Sequence, residues 1–426
     1  MSLQAPKGTR DFYPEEMHLA NHIFSVWRDT ARLFGFEEYE GPIFEHLDLF
    51  TRKSGDEIVR QLYHFKDKSQ RDLALRPEIT PTLARFMVQK GPSLKKPVKW
   101  FSLPRLFRYE RTQRGRLREF FQFNLDILGE PSVTADAELM AAVSAMLRAF
   151  GLSHQDFQIR VNSRRLMADL LESGGFSEEK RNKAYGVLDK RDKVSPDELA
   201  KMYAEAGISA AEQAYMDSIF TCQSFDEIKA RFAGKAKEAT LQEMDQLFKL
   251  VDWYGLSDCV RFDVSVIRGL AYYTGVVWEV FDAGRTLRAI AGGGRYDNLV
   301  ELFGGEKTPA VGFGMGDVVL AELLREKGLL PAYRKNITAY VVNFNRESLE
   351  PAVTLAALLR KAGVSTEFAL KAQNINKQLD AAKNAQWALF VGGIEWEQGE
   401  VKIKNMEKGV EMTVLKNRVV ETISGK

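Results

Sequence analysis

FRYERTQRGRLREFFQFNLDILG, residues 107–129, reads as the end of an apolar strand, a polar turn containing glycine, and a second, longer strand. Between Pro104 and Arg118 lie Arg105, Arg108, Arg111, Arg114, Arg116 and Arg118, with Glu110 as the single acid. Period-two alternation puts Phe121, Phe123, Leu125 and Ile127 on one face of the longer strand. Arg118, Phe120, Gln122, Asn124 and Asp126 fall on the other. A strand of that length with one apolar face has to lie in a sheet. Its polar face is either solvated or the floor of a site for a polar, aromatic ligand. Guanidinium groups hold phosphate oxygens bidentately, so the same hairpin is either a solvated basic turn or a clamp for a nucleotide's phosphates.

Outward from this hairpin the texture changes twice. Up to residue 165, β-rich runs such as LALRPE (73–78) alternate with MHLANHIFSVWRDTARLF (17–34), whose apolar residues recur at three and four. Residues 166–250 are charged, helix-prone and poor in strand signals, which reads as a helical insertion. Over 251–330 strand texture returns with VRFDVSVIRG, TGVVWEVF and the glycine-rich AGGGRYDNL and AVGFGMG, completing the first sheet. PAYRKN (331–336) is a linker, and 335–426 alternates strand and helix before ending in consecutive strands. The fold class expected is α/β: a mixed domain with a large sheet, a helical insertion, and a small C-terminal α/β domain.

With 45% hydrophobic and 28% charged residues, the 426-residue chain is globular rather than disordered, collagenous or coiled-coil. A net charge of only +2 makes any nucleic-acid site local. Cys222 and Cys259 form no CxxC, and His18 and His22 lie in no HExxH, so no structural metal is expected. No apolar run approaches the roughly 20 residues that cross a bilayer, and a cytoplasmic protein without membrane contact is expected.

Common phosphate devices are missing: no GxxxxGK[ST] occurs, and GFGMGD (312–317) lacks the Rossmann spacing. Two further clusters accompany the arginines. In LALRPEITPTLARF, Thr80 reads as an N-cap with Pro81 after it, leaving Glu78 where a strand meets a helix, able to serve the helix dipole or receive an ammonium group. In IRGLAYYTGVVWEVF, Arg268 and Gly269 precede Tyr272 and Tyr273, which must face opposite ways in a strand.

KGTRDF, LRPEIT, the arginine hairpin, RGLAYYTGVVWE, GGGRYDNL and AVGFGMG, in this order, resemble the histidyl-tRNA synthetase family of class II aminoacyl-tRNA synthetases. The resemblance implies activation of L-histidine with ATP, carried as its Mg2+ complex, and transfer of histidine to its tRNA by a C-terminal anticodon-binding domain and a class II catalytic domain. It implies that the large sheet is antiparallel and flanked by helices, that the protein is a homodimer with Pro42 of GPIFEHLDLF at the interface, and that no protein metal is tightly bound. Arg108 and Arg268 would be catalytic, flanking the α-phosphate. Arg108, Glu110, Arg116 and Phe120 would hold ATP. Glu78, Ile79, Thr80, Arg108, Gln122, Asp126, Arg268, Tyr272 and Tyr273 would hold histidine, with Asp126 and Tyr273 facing the imidazole. Gln113 would read the tRNA acceptor end.

Two positions depart from the pattern. Asp317-Val318-Val319 stands where class II enzymes carry an arginine, and Ala271 where Asp is frequent, which implies an altered ATP pocket compensated by Arg295 or Arg116. The alternatives are the histidyl-synthetase-like regulatory subunit of ATP phosphoribosyltransferase, which binds histidine without charging tRNA, and a generic basic nucleic-acid module.

Overall fold

Apolar stripes at helical and strand periods determine how the layers meet. The computed structural model describes residues 3–51, 59–191, 194–267, 273–333, 335, 337–371 and 373–424. They form two compact units, Met1–Pro331 and Ala332–Lys426.

The strands of the first unit are β1 (Glu37–Glu38), β2 (Phe44–His46), β3 (His64–Lys66), β4 (Asp72–Leu75), β5 (Val98–Ser102), β6 (Arg105–Phe107), β7 (Glu119–Leu128), β8 (Phe157–Ser163), β9 (Val260–Phe262), β10 (Val276–Asp282), β11 (Ala291–Arg295) and β12 (Ala310–Gly316). Nine of them make one sheet in the order β1-β5-β7-β12-β11-β10-β8-β9, with β6 also paired to β7. Its interior pairings are antiparallel, whereas both edges, β1 with β5 and β8 with β9, are parallel. β2, β4 and β3 form a small separate sheet.

The apolar face of β7 behaves as its alternation requires: Phe123, Leu125 and Ile127 are buried in the main core. That core is closed by the helix Pro14–Leu33, whose buried Ala20, Ile23, Trp27, Thr30 and Ala31 recur at helical spacing. Trp27 packs on Phe123 at 5.7 Å between ring centres and its indole N–H points at the Met315 sulfur, 3.3 Å away. The helix Thr134–Ala149 is buried along most of its length.

Between β8 and β9 the described chain contains helices and no strand. Ser177, Ser195, Ser209 and Ser224 each accept a hydrogen bond from a first-turn backbone N–H, and Ser209 with Glu212 forms a capping box. These short polar residues start helices whose charged sequence alone would leave their boundaries open.

The second unit has a five-stranded sheet, β14-β13-β15-β16-β17, made of β13 (Ile337–Asn343), β14 (Thr366–Phe368), β15 (Ala385–Val391), β16 (Glu400–Asn405) and β17 (Glu411–Leu415). Parallel pairing of β13 with β14 and β15 gives way to antiparallel hairpins at β16 and β17. Helix Leu349–Lys361 covers one face and Ile375–Ala382 the other, each over its own apolar cluster.

One polar interaction inside the first unit fixes where β11 ends. Arg295, fully buried, pairs with Asp136 and donates to the backbone carbonyls of Glu130 at 3.0 Å and Ser132 at 2.8 Å. Burial opposes its charge, but the Asp136 and Asp297 carboxylates outweigh burial and hold the guanidinium protonated above its ordinary value. Removing Asp136 leaves that cation uncompensated in the interior. Asp136→Ala should therefore cost about 3–5 kcal/mol in denaturant unfolding, and a loss under about 1 kcal/mol would show that the pair is dispensable.

Candidate functional site

The polar face of β7 meets a floor of glycines. Register pairs Asp126 with Gly312 and Asn124 with Gly314 across β7 and β12, then Gly312 with Gly294 across β12 and β11. A Cβ on Gly312 would stand 1.9 Å from Asp126 Oδ1, and one on Gly314 would stand 2.8 Å from the Gln122 amide. A Cβ on Gly294 would meet the Tyr273 ring at 3.0 Å. The glycine-rich strands thus create room: the Asp126 carboxylate, the Gln122 amide and the Tyr273 ring all lie over positions that have no side chain. Because Gly312 and Gly294 are direct partners, Asp126 and Tyr273 lie over adjacent strands, which run roughly 5 Å apart.

Asp126 is only 3% exposed and accepts a hydrogen bond of 2.6 Å from the Tyr296 hydroxyl. Burial raises its pKa to about 7, even though the Tyr296 bond pulls the other way. A second phenol, Tyr39, is pushed well above its ordinary value by burial first and then by the charges of Asp126 and Glu40. Its hydroxyl is buried and finds no hydrogen-bond partner among the described residues. Neither tyrosine was singled out from the sequence. Tyr296 follows Gly294 by two, which puts both on the same face of one extended strand, a signal legible in GGGRYDNL. Tyr39 lies beyond any motif.

On the hairpin side, Arg108 donates through Nε to the Pro77 carbonyl at 2.9 Å, and its guanidinium lies 5.2 Å from the centre of the Phe120 ring. Phe120 is half-buried. Arg76, 2% exposed, pairs with Glu40 at 2.5 Å and donates to the carbonyls of Arg105 and Gly41. The LRPE turn is thereby held between Arg76 and Arg108, with Glu78 buried beside them. Ile79 is fully buried, so it can offer a ligand only its backbone. The helix begins at Thr80 with Ile79 in the capping position and no side-chain cap, which corrects the expectation that Thr80 is the N-cap. Burial of Ile79, rather than a hydroxyl, anchors this helix start.

Glu110 is buried and Arg116 forms an ion pair with it, so the two residues expected on adenine and on the outer phosphates hold each other in this state. Gln113 is exposed at the turn, opposite Arg116 in a two-residue bridge. Gly115 there has φ +72°, a backbone conformation that suits glycine. Arg268, Tyr272 and Ala271 lie outside the described residues.

The segment after GFGMG does something other than bind phosphate. Asp317, 4% exposed, pairs with Arg10 at 2.7 Å and accepts from the Phe121 backbone N–H at 3.0 Å. Burial raises its pKa while Arg10 draws it down. Asp317 therefore joins the N-terminal KGTRDF segment to β7, and buried Val319 packs under Gly115, 3.1 Å from where its Cβ would stand. Arg295 does not compensate for the missing arginine, because its guanidinium is committed to Asp136 in the interior.

Comparison with known proteins agrees along the whole chain. A family model described as "Histidyl-tRNA synthetase" matches residues 8–317, and one described as "Anticodon binding domain" matches 338–426. A histidine–tRNA ligase of Opitutus terrae is 41% identical over 98% of this chain and 97% of its own. The chloroplastic/mitochondrial histidine–tRNA ligase of Arabidopsis thaliana is 40% identical over 97% of this chain and 85% of its own. The crystal structure of a histidyl-tRNA synthetase from Nostoc sp. PCC 7120 superposes with a TM-score of 0.82 at 24% identity, covering 100% of this chain and 99% of that one, which is a likeness of fold.

The state of Asp126 gives a measurable signature. It ionises near 3.8 when unfolded and near 7 when folded. Stability from its neutral form is complete below the unfolded value and lost as pH rises to the folded one. Denaturant unfolding from about pH 4 to about pH 8 should show this decline, and Asp126→Asn should remove it. An unchanged profile in the variant would refute the shift.

Proposed function

The chain belongs to the histidyl-tRNA synthetase family, and we propose that the glycine-floored face of β7 is where its amino acid is recognised and activated. The activity is that of a histidine–tRNA ligase: ATP and L-histidine give histidyl-adenylate and pyrophosphate, and the histidyl group then passes to its tRNA. The observation that carries the placement is a buried carboxylate and an amide over two glycines, beside the arginine hairpin.

Asp126 accepts an imidazole N–H, with Tyr296 fixing its orientation and Tyr273 covering the ring. A carboxylate whose pKa lies near that of imidazole, about 6.5, shares the proton readily. Amino acids without an N–H at that point leave Asp126 buried and unpaired, which costs several kcal/mol and supplies the selectivity. Glu78, Thr80 and Gln122 take the ammonium end, with the Ile79 backbone beside them.

The histidine carboxylate attacks the α-phosphorus of ATP, and pyrophosphate leaves. Negative charge builds on the α-phosphate oxygens, where Arg108, fixed by the Pro77 carbonyl and the Phe120 ring, stabilises it without reorganising. Arg268, outside the described residues, is assigned the second catalytic role by the family resemblance alone. Phe120 stacks on adenine and Glu110 takes the adenine amino group, while Arg116 leaves Glu110 for the outer phosphates. ATP enters as its magnesium complex, the metal travelling with the nucleotide. Gln113, exposed on its turn, meets the tRNA acceptor end. The active protein is a cytoplasmic homodimer with Pro42 at the interface. Full-length identity to ligases and a matched anticodon-binding domain favour this reading over a histidine-binding regulatory subunit.

Asp126→Ala should abolish histidine-dependent pyrophosphate exchange while ATP binding by equilibrium dialysis persists. Gly312→Ala keeps the carboxylate but displaces it, and should raise KM for histidine about tenfold or more with KM for ATP within about twofold. Arg108→Ala should lower the exchange rate by on the order of 10² to 10³. Exchange at the native rate in Asp126→Ala would defeat the assignment.

A further inference from the structure

At the far edge of the same sheet face lies a second cleft, of about 490 Å³, lined by Gln158, Arg160, Arg191, Gln223, Arg261, Asp263 and Arg285 among others. Four arginines and one acid, Asp263, line it, with Asp217 paired to Arg191 and Glu279 in register with Arg160 beside them. Register fixes its relation to the first site. Asp126 pairs with Gly312, Gly312 with Gly294, Gly294 with Val277 and Val277 with Asn162, and Arg160 lies two residues before Asn162 on β8. Register partners share a face, so Arg160 and Asp126 project from the same side of the sheet, four strand spacings or roughly 19 Å apart. Arg261 stands opposite Arg160 on β9, and Glu279 opposite it on β10. Arg191 and Gln223 come from the helical segment that follows β8.

The arginines are held in place but not fully satisfied. Arg160 pairs with Asp263 at 2.7 Å, and Arg285 reaches the same carboxylate at 3.2 Å. Arg191 pairs with Asp217 at 2.9 Å and stacks over Phe220, 4.6 Å from the ring centre. Yet Arg160 Nε and Arg191 Nη1 are buried with no hydrogen-bond partner. Desolvated, unanswered donors on cations are costly and rare in native structures, and two in one cleft point to an anion that completes them.

We propose that this cleft is a phosphate subsite for the sugar-phosphate backbone of the tRNA substrate, engaged while its 3′ end reaches the β7 site. The inference rests on the aminoacylation reading above. Planar guanidinium groups suit phosphate oxygens, and a ligand that must also extend about 19 Å along one sheet face is a chain carrying repeated phosphates rather than a small anion. Arg160 and Arg191, whose side chains are partly exposed, donate to phosphate oxygens, each turning to bring its unanswered N–H into the cleft. Arg261 and Arg285 raise the local potential, and binding at this cleft carries no sequence information of its own.

Arg191→Gln with Arg285→Gln, and separately Gln223→Glu, which removes no existing ion pair, test this. Each protein is assayed for pyrophosphate exchange without tRNA and for charging of a histidine tRNA transcript. Exchange should stay within about twofold, reporting an intact fold and first site. KM for the tRNA should rise about tenfold in the double variant, and the slope of log affinity against log salt should shrink by about 1 for each phosphate no longer neutralised. Gln223→Glu should raise KM in the same direction. Unchanged KM and salt slope in both proteins would overturn the proposal. So would inorganic phosphate binding by calorimetry that disappears in the double variant while KM for tRNA stays put, since the cleft would then serve a free anion. Absence of exchange in the unaltered chain would instead sink the aminoacylation reading and leave a distinct result.

Discussion

A missing side chain at Gly312 is the constraint on which the site depends. In an antiparallel pair, residues in register project side by side from one face, so a bulky polar group on β7 needs its partner on β12 to be small. A Cβ at Gly312 would stand 1.9 Å from the Asp126 carboxylate, inside any permitted contact. The device recurs at Gly314 further along the same strand and at Gly294 beside Gly312 on β11, so the sheet is thinned on this face while its other face keeps Phe123, Leu125 and Phe313 in the core. Gly in strand interiors weakens a sheet, and here that cost is offset by a helix layer anchored through Trp27 and by the buried Arg295–Asp136 pair at the end of β11.

Much of this was legible in the sequence where one periodicity dominated. Alternation along β7 put Phe123, Leu125 and Ile127 on the core face, where they are found, because a buried strand face tolerates no slip of register; Phe121, nearer the hairpin, is only half-buried. The helical character of the stretch after β8 and the mixed C-terminal unit were visible for the same reason. What alternation could not supply is which strands become neighbours. Asp126 meets Gly312 only because β12, nearly two hundred residues later, pairs with β7; Tyr296 reaches it from the end of β11 beyond β12, and Tyr39 comes near it from the opposite side, through β1 and β5. GFGMG illustrates the gap: as a string it suggests a phosphate loop of the wrong spacing, and as a strand it is the floor under a carboxylate. The capping position at Ile79 was missed because a hydroxyl is a strong local signal, while burial of a neighbouring isoleucine is a tertiary one.

Asp126 shows how burial can be turned into chemistry. A solvated carboxylate would be ionised well below neutrality and would bind any cation. Buried over glycines with a single hydroxyl donor, it holds its proton to about pH 7. Its ionised form is therefore costly unless a further donor meets it, which is the part the proposed imidazole N–H would play. Asp317, also buried, answers the same cost structurally: Arg10 and the Phe121 N–H satisfy it, and it serves as a joint.

The arginine hairpin carries the complementary lesson about charge. Counted along the chain, its guanidinium groups suggest a basic patch open to any polyanion. In the folded protein Arg105 pairs with Glu119, Arg114 with Glu322 and Glu326, Arg116 with Glu110, and Arg118 lies over Tyr109 while donating to the Glu110 carbonyl. Arg108 and Arg118 are the two of these five fixed by a backbone carbonyl and an aromatic face, with no carboxylate in their ion pairs among the described residues. A cation held by neutral groups keeps its full charge, whereas one paired with a carboxylate must first give up that partner. The hairpin thus commits most of its guanidinium groups to its own carboxylates, carbonyls and rings, which is why a residue count made it look like a general nucleic-acid surface and the geometry does not.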